Sequence, residues 1–140
     1  RGICCLQPGI VGQSENIRVI SIIDRFLEHS RIIHFVHGGE QRVMISSADW
    51  MPRNLDRRVE LLIPIKSNPC KEILIAALQS NLKENTKGHV LAEDGSYQKW
   101  DAKDQPAHRS QEFLYQQALQ EVKRSRQTQP VTFVPHRGMK

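Results

Sequence analysis

The sequence has 140 residues, of which 39% are hydrophobic and 25% are charged, with a formal net charge of +5. These values predict one soluble domain and exclude a membrane-spanning chain, because no apolar run approaches the roughly 20 residues that a bilayer requires. The three cysteines and six histidines show neither a disulfide framework nor the spacing of a zinc site. Residues 1–6 are too short for a signal peptide, and a chain that begins at Arg1 in a strand-like segment is expected to come from a longer protein.

The first half of the chain predicts one helix among several strands. Residues 2–6 have the pattern of a short buried strand, and a helix is predicted from an N-cap at Ser14 to about Glu28. Residues 31–37 and 42–47 are predicted to form a hairpin around the turn at Gly38 and Gly39. Residues 48–56 are predicted to be a polar loop, and residues 57–65 to be another strand.

The second half predicts two helices around a weaker strand signal. One helix begins at Asn68 and Pro69 and runs to Leu82, and an amphipathic helix spans residues 109–124. Residues 90–91 are predicted to form an edge strand, followed by a turn at residues 93–97 and a loop over residues 99–106. The tail from Thr128 is expected to pack on something or to fray. The predicted class is therefore α/β (α+β), a mixed β-sheet flanked by helices, in a single domain of residues 1–140.

The type of basic residue differs between the two halves. Residues 1–66 contain eight Arg and one Lys, whereas residues 67–140 contain four Arg and seven Lys. Because arginine suits forked recognition of phosphate or carboxylate, this bias indicates an oxyanion site in the first half. Ordinary surface charge is the alternative, since seven acidic residues accompany those nine basic ones.

Three motifs stand in order in the first half. They are RGICCL at residues 1–6, DRFLEHSR at residues 24–31, and ISSADWM at residues 45–51 with RNLDRRVE following at residues 53–60. Together they closely resemble the C-terminal catalytic region of bacterial polyphosphate kinase. The resemblance is dense over residues 1–65 and thinner beyond Pro69.

The resemblance implies a fold similar to the phospholipase D superfamily, whose half-sites carry a His-x-Lys element and a downstream Ser/Asn segment. His29-Ser30-Arg31 resembles the first element, with arginine in place of lysine, while Ser46, Ser47 and Asp49 resemble the second. His29 is similar to the family's second, non-nucleophilic active-site histidine, and Arg1 to the arginine that contacts nucleotide phosphates.

The implied activity is reversible transfer of the terminal phosphate of ATP to polyphosphate through a phosphohistidine on a preceding domain. The ligands of Mg²⁺ are expected on that missing part, so no metal ligand is predicted here and the 140 residues alone are expected to be inactive. The implied partners are ATP, ADP, polyphosphate and the upstream domains, with homo-oligomers as a further option and no specific nucleic acid. The implied location is the cytoplasm or the periphery of the inner membrane.

The residue chemistry agrees with this assignment. Phosphoryl transfer requires neutralisation of charge around the moving group, which Arg1 and Arg31 could supply. Imidazole titrates near neutral pH, so His29 could give a proton to a leaving group, and the hydroxyls of Ser46 and Ser47 could donate to phosphate oxygens. Asp49 could instead pair with Arg53, Arg57 or Arg58 and brace the loop.

Two other functions are compatible with the same residues. A phospholipase D-like phosphodiesterase or nuclease half-site would complete itself by dimerising around His29. A non-catalytic module would bind a polyanion through its basic surface, with steep salt dependence and without need of His29.

Overall fold

A computed structural model describes residues 6–100 and 105–127. The elements in chain order are β1 (Ile20–Ile22), β2 (Ile32–His37), β3 (Glu40–Ser46), α1 (Pro52–Arg57), β4 (Leu62–Pro64), α2 (Asn68–Leu82), β5 (Gly88–Leu91), β6 (Tyr97–Lys99) and α3 (Ser110–Gln127). The tail from Thr128 lies outside the described residues, and so does all of the predicted strand at residues 2–6 except Leu6.

The strands form two small antiparallel sheets instead of one mixed sheet. The first has the order β1-β5-β6, and the second has the order β2-β3-β4. The mixed α/β class is confirmed, but β5 is the central strand of its sheet, so the predicted edge position of residues 90–91 is wrong.

The β2-β3 hairpin forms as predicted. His37 pairs with Glu40, which leaves Gly38 and Gly39 as a two-residue loop with φ values of 53° and 83°. Two consecutive positive φ values define the turn that matches the twist of a hairpin, and glycine adopts them without a steric penalty. This turn fixes the register that places Ile32 opposite Ile45 at the far end.

The predicted helix from Ser14 to Glu28 is wrong. Ser14 is buried in a turn, where its hydroxyl donates to the carbonyl of Gln7 at 2.6 Å and accepts from the amide of Ile10 at 3.0 Å. Farther along, Ile20 and Ile22 pair with Val90 and Gly88 in β1. Isoleucine is β-branched, so a run of it favours a strand once a partner strand is available, and this pairing overrides the helical spacing.

The strand predicted over residues 57–65 is only partly right, because β4 covers three of those nine residues. Helix α1 occupies part of the predicted polar loop at residues 48–56. Proline at the first position of α1 was the available signal. The two longer helices are confirmed, with α2 at the predicted bounds and α3 displaced by one residue at its start and three at its end.

Buried polar side chains outnumber buried apolar ones among the described residues. The buried hydrophobic residues are Val43, Ala48 and Leu91, whereas the buried polar residues are Ser14, Asn54, Ser80, Glu84, Asn85, Ser110 and Gln111. Each buried polar group requires a hydrogen-bond partner, so much of the order in this fold comes from polar contacts between distant segments. None of the helices in the described part combines the length and apolar character needed to cross a bilayer.

Candidate functional site

The candidate site lies where an irregular segment leads into strand β2. Arg31 precedes the first residue of β2, and its carbonyl accepts a hydrogen bond from the amide of Ser46 at 2.9 Å. This bond extends the β2-β3 ladder by one step. It brings the end of β3 beside the His29-Ser30-Arg31 segment. The two motifs that the resemblance assigns to one site therefore lie next to each other.

Arg31 and Asp49 form the central ion pair of the site. One carboxylate oxygen of Asp49, Oδ1, accepts from Nε of Arg31 at 2.8 Å and lies 2.7 Å from the Nη2 atom. The Arg31 side chain is 17% exposed and that of Asp49 is 42% exposed. The hydrogen bond from Arg31 holds the pKa of Asp49 below its usual range, aided by the positive charges of Arg31 and Arg53 and opposed by partial burial.

His29 lies against the same guanidinium. Nη1 of Arg31 is 3.2 Å from Nδ1 of His29, and Nη2 of Arg31 is 3.0 Å from Nε2. A neutral imidazole has one nitrogen that accepts and one that donates, so only one of these two contacts can be a hydrogen bond at a time. The guanidinium therefore links the imidazole and the carboxylate into one cluster of His29, Arg31 and Asp49.

The two serines of the downstream motif have different surroundings. The hydroxyl oxygen of Ser46 accepts from the amide of Ala48 at 3.0 Å, which leaves its hydrogen for another acceptor. The hydroxyl of Ser47 donates to the carboxylate of Glu60 and accepts from the amide of Leu61 at 2.9 Å. The predicted phosphate contact therefore suits Ser46 better than Ser47, whose hydrogen already has an anionic partner.

Helix α1 fixes the loop that carries Asp49. The carbonyl of Asp49 accepts from the amide of Met51 at 2.8 Å and from the side-chain amide of Asn54 at 3.3 Å. Asn54 is only 4% exposed. Sequence reasoning missed this residue because a buried asparagine in a six-residue helix has no periodic signal.

A cleft opens beside Arg31. It has a volume of about 290 Å³, and its walls include Glu28, Ser30, Arg31, Trp50, Leu78 and Asn81. The side-chain oxygen of Asn81 is buried and has no hydrogen-bond partner. The cleft therefore offers a ligand the guanidinium of Arg31.

The structure thus brings four predicted site residues together, namely His29, Arg31, Ser46 and Asp49, and places Ser47 at their edge. Arg1 lies outside the described residues. Within residues 6–100 and 105–127, no cluster of three or more His, Cys, Asp or Glu side chains could hold a metal ion. The structure also shows a contact that sequence reasoning missed, in which the start of α3 binds the chain just before His29.

Comparison with known proteins agrees with the motifs. The family model described as "Polyphosphate kinase C-terminal domain 2" matches residues 1–111. A polyphosphate kinase of Rhodopirellula baltica is 47% identical over 138 residues, which are 98% of this chain and 16% of that protein. A polyphosphate kinase of Pseudomonas aeruginosa is 52% identical over 99 residues, which are 71% of this chain and 14% of that protein.

The fold agrees as well. A crystal structure of polyphosphate kinase from Porphyromonas gingivalis superposes with a TM-score of 0.80 and 36% sequence identity, over 88% of this chain and 19% of that one. The chain therefore spans less than a fifth of the length of each of these relatives.

Proposed function

Because this chain belongs to the polyphosphate kinase family, as its C-terminal domain 2, we propose that it supplies part of the active site for reversible transfer of the ATP terminal phosphate to polyphosphate. The observation that carries the proposal is the contact of Arg31 with both His29 and Asp49 beside an open cleft. This arrangement holds a cation and an imidazole side by side, which are the two groups that phosphoryl transfer uses to neutralise and protonate a leaving phosphate.

Arg31 is proposed to bind the phosphate chain, and Asp49 to orient Arg31. The carboxylate of Asp49 fixes the edge of the guanidinium formed by Nε and Nη2, while Nη1 and Nη2 lie 3.2 and 3.0 Å from the two ring nitrogens of His29. Asp49, predicted from the sequence among the phosphate-binding residues, would thus act through Arg31, since a carboxylate repels phosphate. The hydroxyl of Ser46 and the guanidinium of Arg1 complete the proposed set of donors.

His29 is proposed to donate a proton and to stabilise charge, without attacking phosphorus. Proton donation requires the imidazolium, in which both ring nitrogens carry hydrogens and neither can accept from Arg31. A phosphate oxygen between the two side chains would accept from both, so the ligand-free contact between His29 and Arg31 is expected to open when phosphate binds. The P–O bond to ADP then breaks as a P–N bond forms on a histidine of a preceding domain, and a terminal oxygen of polyphosphate later takes the phosphoryl group.

The remaining parts of the machinery are proposed to lie on other segments of the polypeptide. No group of side chains in the described ranges fits Mg²⁺, so no step is assigned to that ion here. Exposed apolar side chains support a docked neighbour, among them Phe35, Val36, Val59, Leu61 and Leu62. We assign residues 1–140 to one domain with a phospholipase D-like fold, and upstream domains of the same polypeptide are its proposed partners.

The test is to locate the phosphorylated residue in the complete natural polypeptide that contains this sequence. Incubation with γ-labelled ATP should give an acid-labile, alkali-stable label on a peptide outside residues 1–140. The variant His29→Ala should still accept the label but form polyphosphate slowly, while His37→Ala, on the exposed hairpin, should behave as wild type. A labelled peptide that contains His29, or undiminished synthesis by His29→Ala, would overturn the proposal.

A further inference from the structure

Arg109, the residue that immediately precedes α3, forms an ion pair with the chain segment just before the site. Nε of Arg109 donates to Oδ2 of Asp24 at 2.8 Å, and Nη2 donates to Oδ1 at 2.6 Å. The Asp24 side chain is only 3% exposed, whereas that of Arg109 is 42% exposed. A bidentate guanidinium-carboxylate pair fixes orientation as well as distance, because both oxygens are engaged. Asp24 is therefore held in one position relative to α3.

Gln111, in the first turn of α3, holds Phe26, two residues beyond Asp24. The amide of Phe26 donates to Oε1 of Gln111 at 2.8 Å, and Nε2 of Gln111 donates to the carbonyl of Phe26 at 2.8 Å. Gln111 is 5% exposed. Its amide thus satisfies both backbone groups of Phe26, as a neighbouring strand would, and a flipped amide would place donor against donor.

Ser110, which lies between Arg109 and Gln111, ties the start of α3 to the residues that follow α2. Oε2 of Glu84 accepts from the amide and the hydroxyl of Ser110 at 2.6 and 2.9 Å. Its Oε1 accepts from the amide and hydroxyl of Thr86 and from the amide of Lys87, each at 2.8 Å. Glu84 is fully buried and lies two residues after the last residue of α2. Its hydrogen bonds therefore fix the start of α3 relative to the end of α2.

We propose that Arg109 and Gln111 are positioning residues, which hold residues 24–26 at the start of α3 and thereby place the imidazole of His29 for phosphoryl transfer. The inference rests on the proposed function, because it assigns these side chains a role in that reaction. His29 follows Phe26 by three residues, and the intervening Leu27 is 90% exposed, so local packing does little to fix the imidazole. The segment is instead held from both sides, by Gln111 at Phe26 and by Asp49 at Arg31.

Such positioning has a measurable consequence for catalysis. A displacement of about 1 Å in a group that contacts the reacting atoms can cost roughly 100-fold in rate. A residue that acts only through His29 should lose its effect once the imidazole is absent, whereas a residue that merely stabilises the fold should not. The coupling between each anchor and His29 therefore separates the two roles.

The experiment measures polyphosphate synthesis by the complete natural polypeptide with Arg109→Lys and Gln111→Glu. The lysine keeps the charge but loses the fork, and the glutamate keeps the size but turns an acceptor toward the carbonyl of Phe26. Arg124→Lys is the matched control, since it lies on the same helix in an exposed ion pair with Glu121. We expect kcat to fall roughly 10- to 100-fold in the two anchor variants, with KM for ATP within about twofold of wild type and the control unchanged.

The same substitutions are then made in the His29→Ala background. We expect less than about a twofold further loss there, because the group that the anchors position is gone. Unchanged kcat in Arg109→Lys and Gln111→Glu, or an equal loss in both backgrounds, would overturn the positioning role and leave the proposed function standing. Full activity of His29→Ala alone would overturn the proposed function itself and this inference with it. Either anchor variant is enough to test the positioning role. If Arg109→Lys or Gln111→Glu does not fold, the comparison is made with the other variant.

Discussion

A single oxygen of Asp49 accepts from Nε of Arg31 at 2.8 Å and lies 2.7 Å from Nη2 of the same guanidinium, while Nη1 and Nη2 lie 3.2 and 3.0 Å from the two ring nitrogens of His29. The two residues are 18 positions apart in the sequence and meet because the β2-β3 hairpin folds the chain back on itself. Arginine at this position can contact a carboxylate and an imidazole at once, which the point charge of a lysine could not do with the same geometry.

The first prediction concerns the chemical role of His29. General acid-base catalysis contributes roughly 10²–10⁴-fold to rate, so His29→Ala in the complete natural polypeptide should lower kcat by a factor in that range. ATP binding should fall much less, because the histidine acts mainly in the transition state. Steady-state kinetics with ATP and isothermal titration with a non-hydrolysable analogue measure the two effects separately.

His29→Gln gives a stricter version of the same test. Glutamine can donate a hydrogen bond, but it cannot release a proton near neutral pH. It should therefore recover little of the lost kcat, and a rate close to wild type would show that hydrogen bonding alone is enough.

The second prediction separates the roles of Arg31 and Asp49. Arg31→Ala should weaken binding of fluorescent polyphosphate, and the difference from wild type should shrink as salt rises. Asp49→Asn removes a negative charge beside Arg31 while releasing its guanidinium, so polyphosphate should bind more tightly at low salt while kcat falls.

Arg42→Ala is the control for charge alone, because Arg42 forms an exposed pair with Glu40 on the same sheet. It should change polyphosphate affinity by less than about twofold. Equal affinities of wild type and Arg31→Ala at low salt would remove Arg31 from the phosphate site.

The third prediction distinguishes the two adjacent serines. Ser46→Ala should raise KM for polyphosphate, because the hydroxyl hydrogen of Ser46 is available to a phosphate oxygen. Ser47→Ala should leave KM near the wild-type value, since the hydroxyl of Ser47 already donates to Glu60. The loss of a charge-assisted hydrogen bond costs about 1.5–3 kcal/mol, so Ser46→Ala should raise KM for polyphosphate by roughly 10- to 150-fold. The reverse ranking of the two variants would contradict the geometry.

The fourth prediction concerns the buried carboxylate of Glu84. Burial by itself would raise the pKa of Glu84, but hydrogen bonds from Lys87, Ser110 and Thr86 outweigh it and hold the pKa below its ordinary value of 4.5. A group whose pKa is lower in the folded state stabilises the fold above its unfolded pKa, and this stability is lost as pH falls through the folded pKa. The melting temperature of the wild type should therefore fall as the pH drops below about 4.5. The melting temperature of the Glu84→Gln variant should fall less over the same pH range.

The Glu84→Gln variant should also be destabilised at neutral pH. Its amide places a donor against the existing donors of Ser110 or Thr86, at an expected cost of about 2–4 kcal/mol. Hydrogen-deuterium exchange should locate the effect, with faster exchange in peptides that cover residues 84–88 and 108–112 and little change in the β2-β3 hairpin. Uniform exchange across the domain would mean that Glu84 does not form a local junction.

The sequence by itself determined the family, the hairpin, the two long helices and the set of residues from which the site is built. These features depend on local signals, such as two glycines at a tight turn, a proline at the start of a helix and motifs that occupy contiguous positions. The resemblance to the family grouped His29, Arg31, Ser46 and Asp49 in one site, and the structure places these four residues close together. Their roles in catalysis remain predictions.

Tertiary structure decided which strands pair and what holds the site segment. Ile20 and Ile22 have helical spacing in the sequence, yet they form a strand because β5, nearly 70 residues later, offers backbone donors and acceptors. The contact between Asp24 and Arg109 spans 85 positions and leaves no periodic pattern in either segment. A hydrogen bond between side chains far apart in the sequence depends on the tertiary fold of the whole chain. The residues around each partner do not predict such a contact.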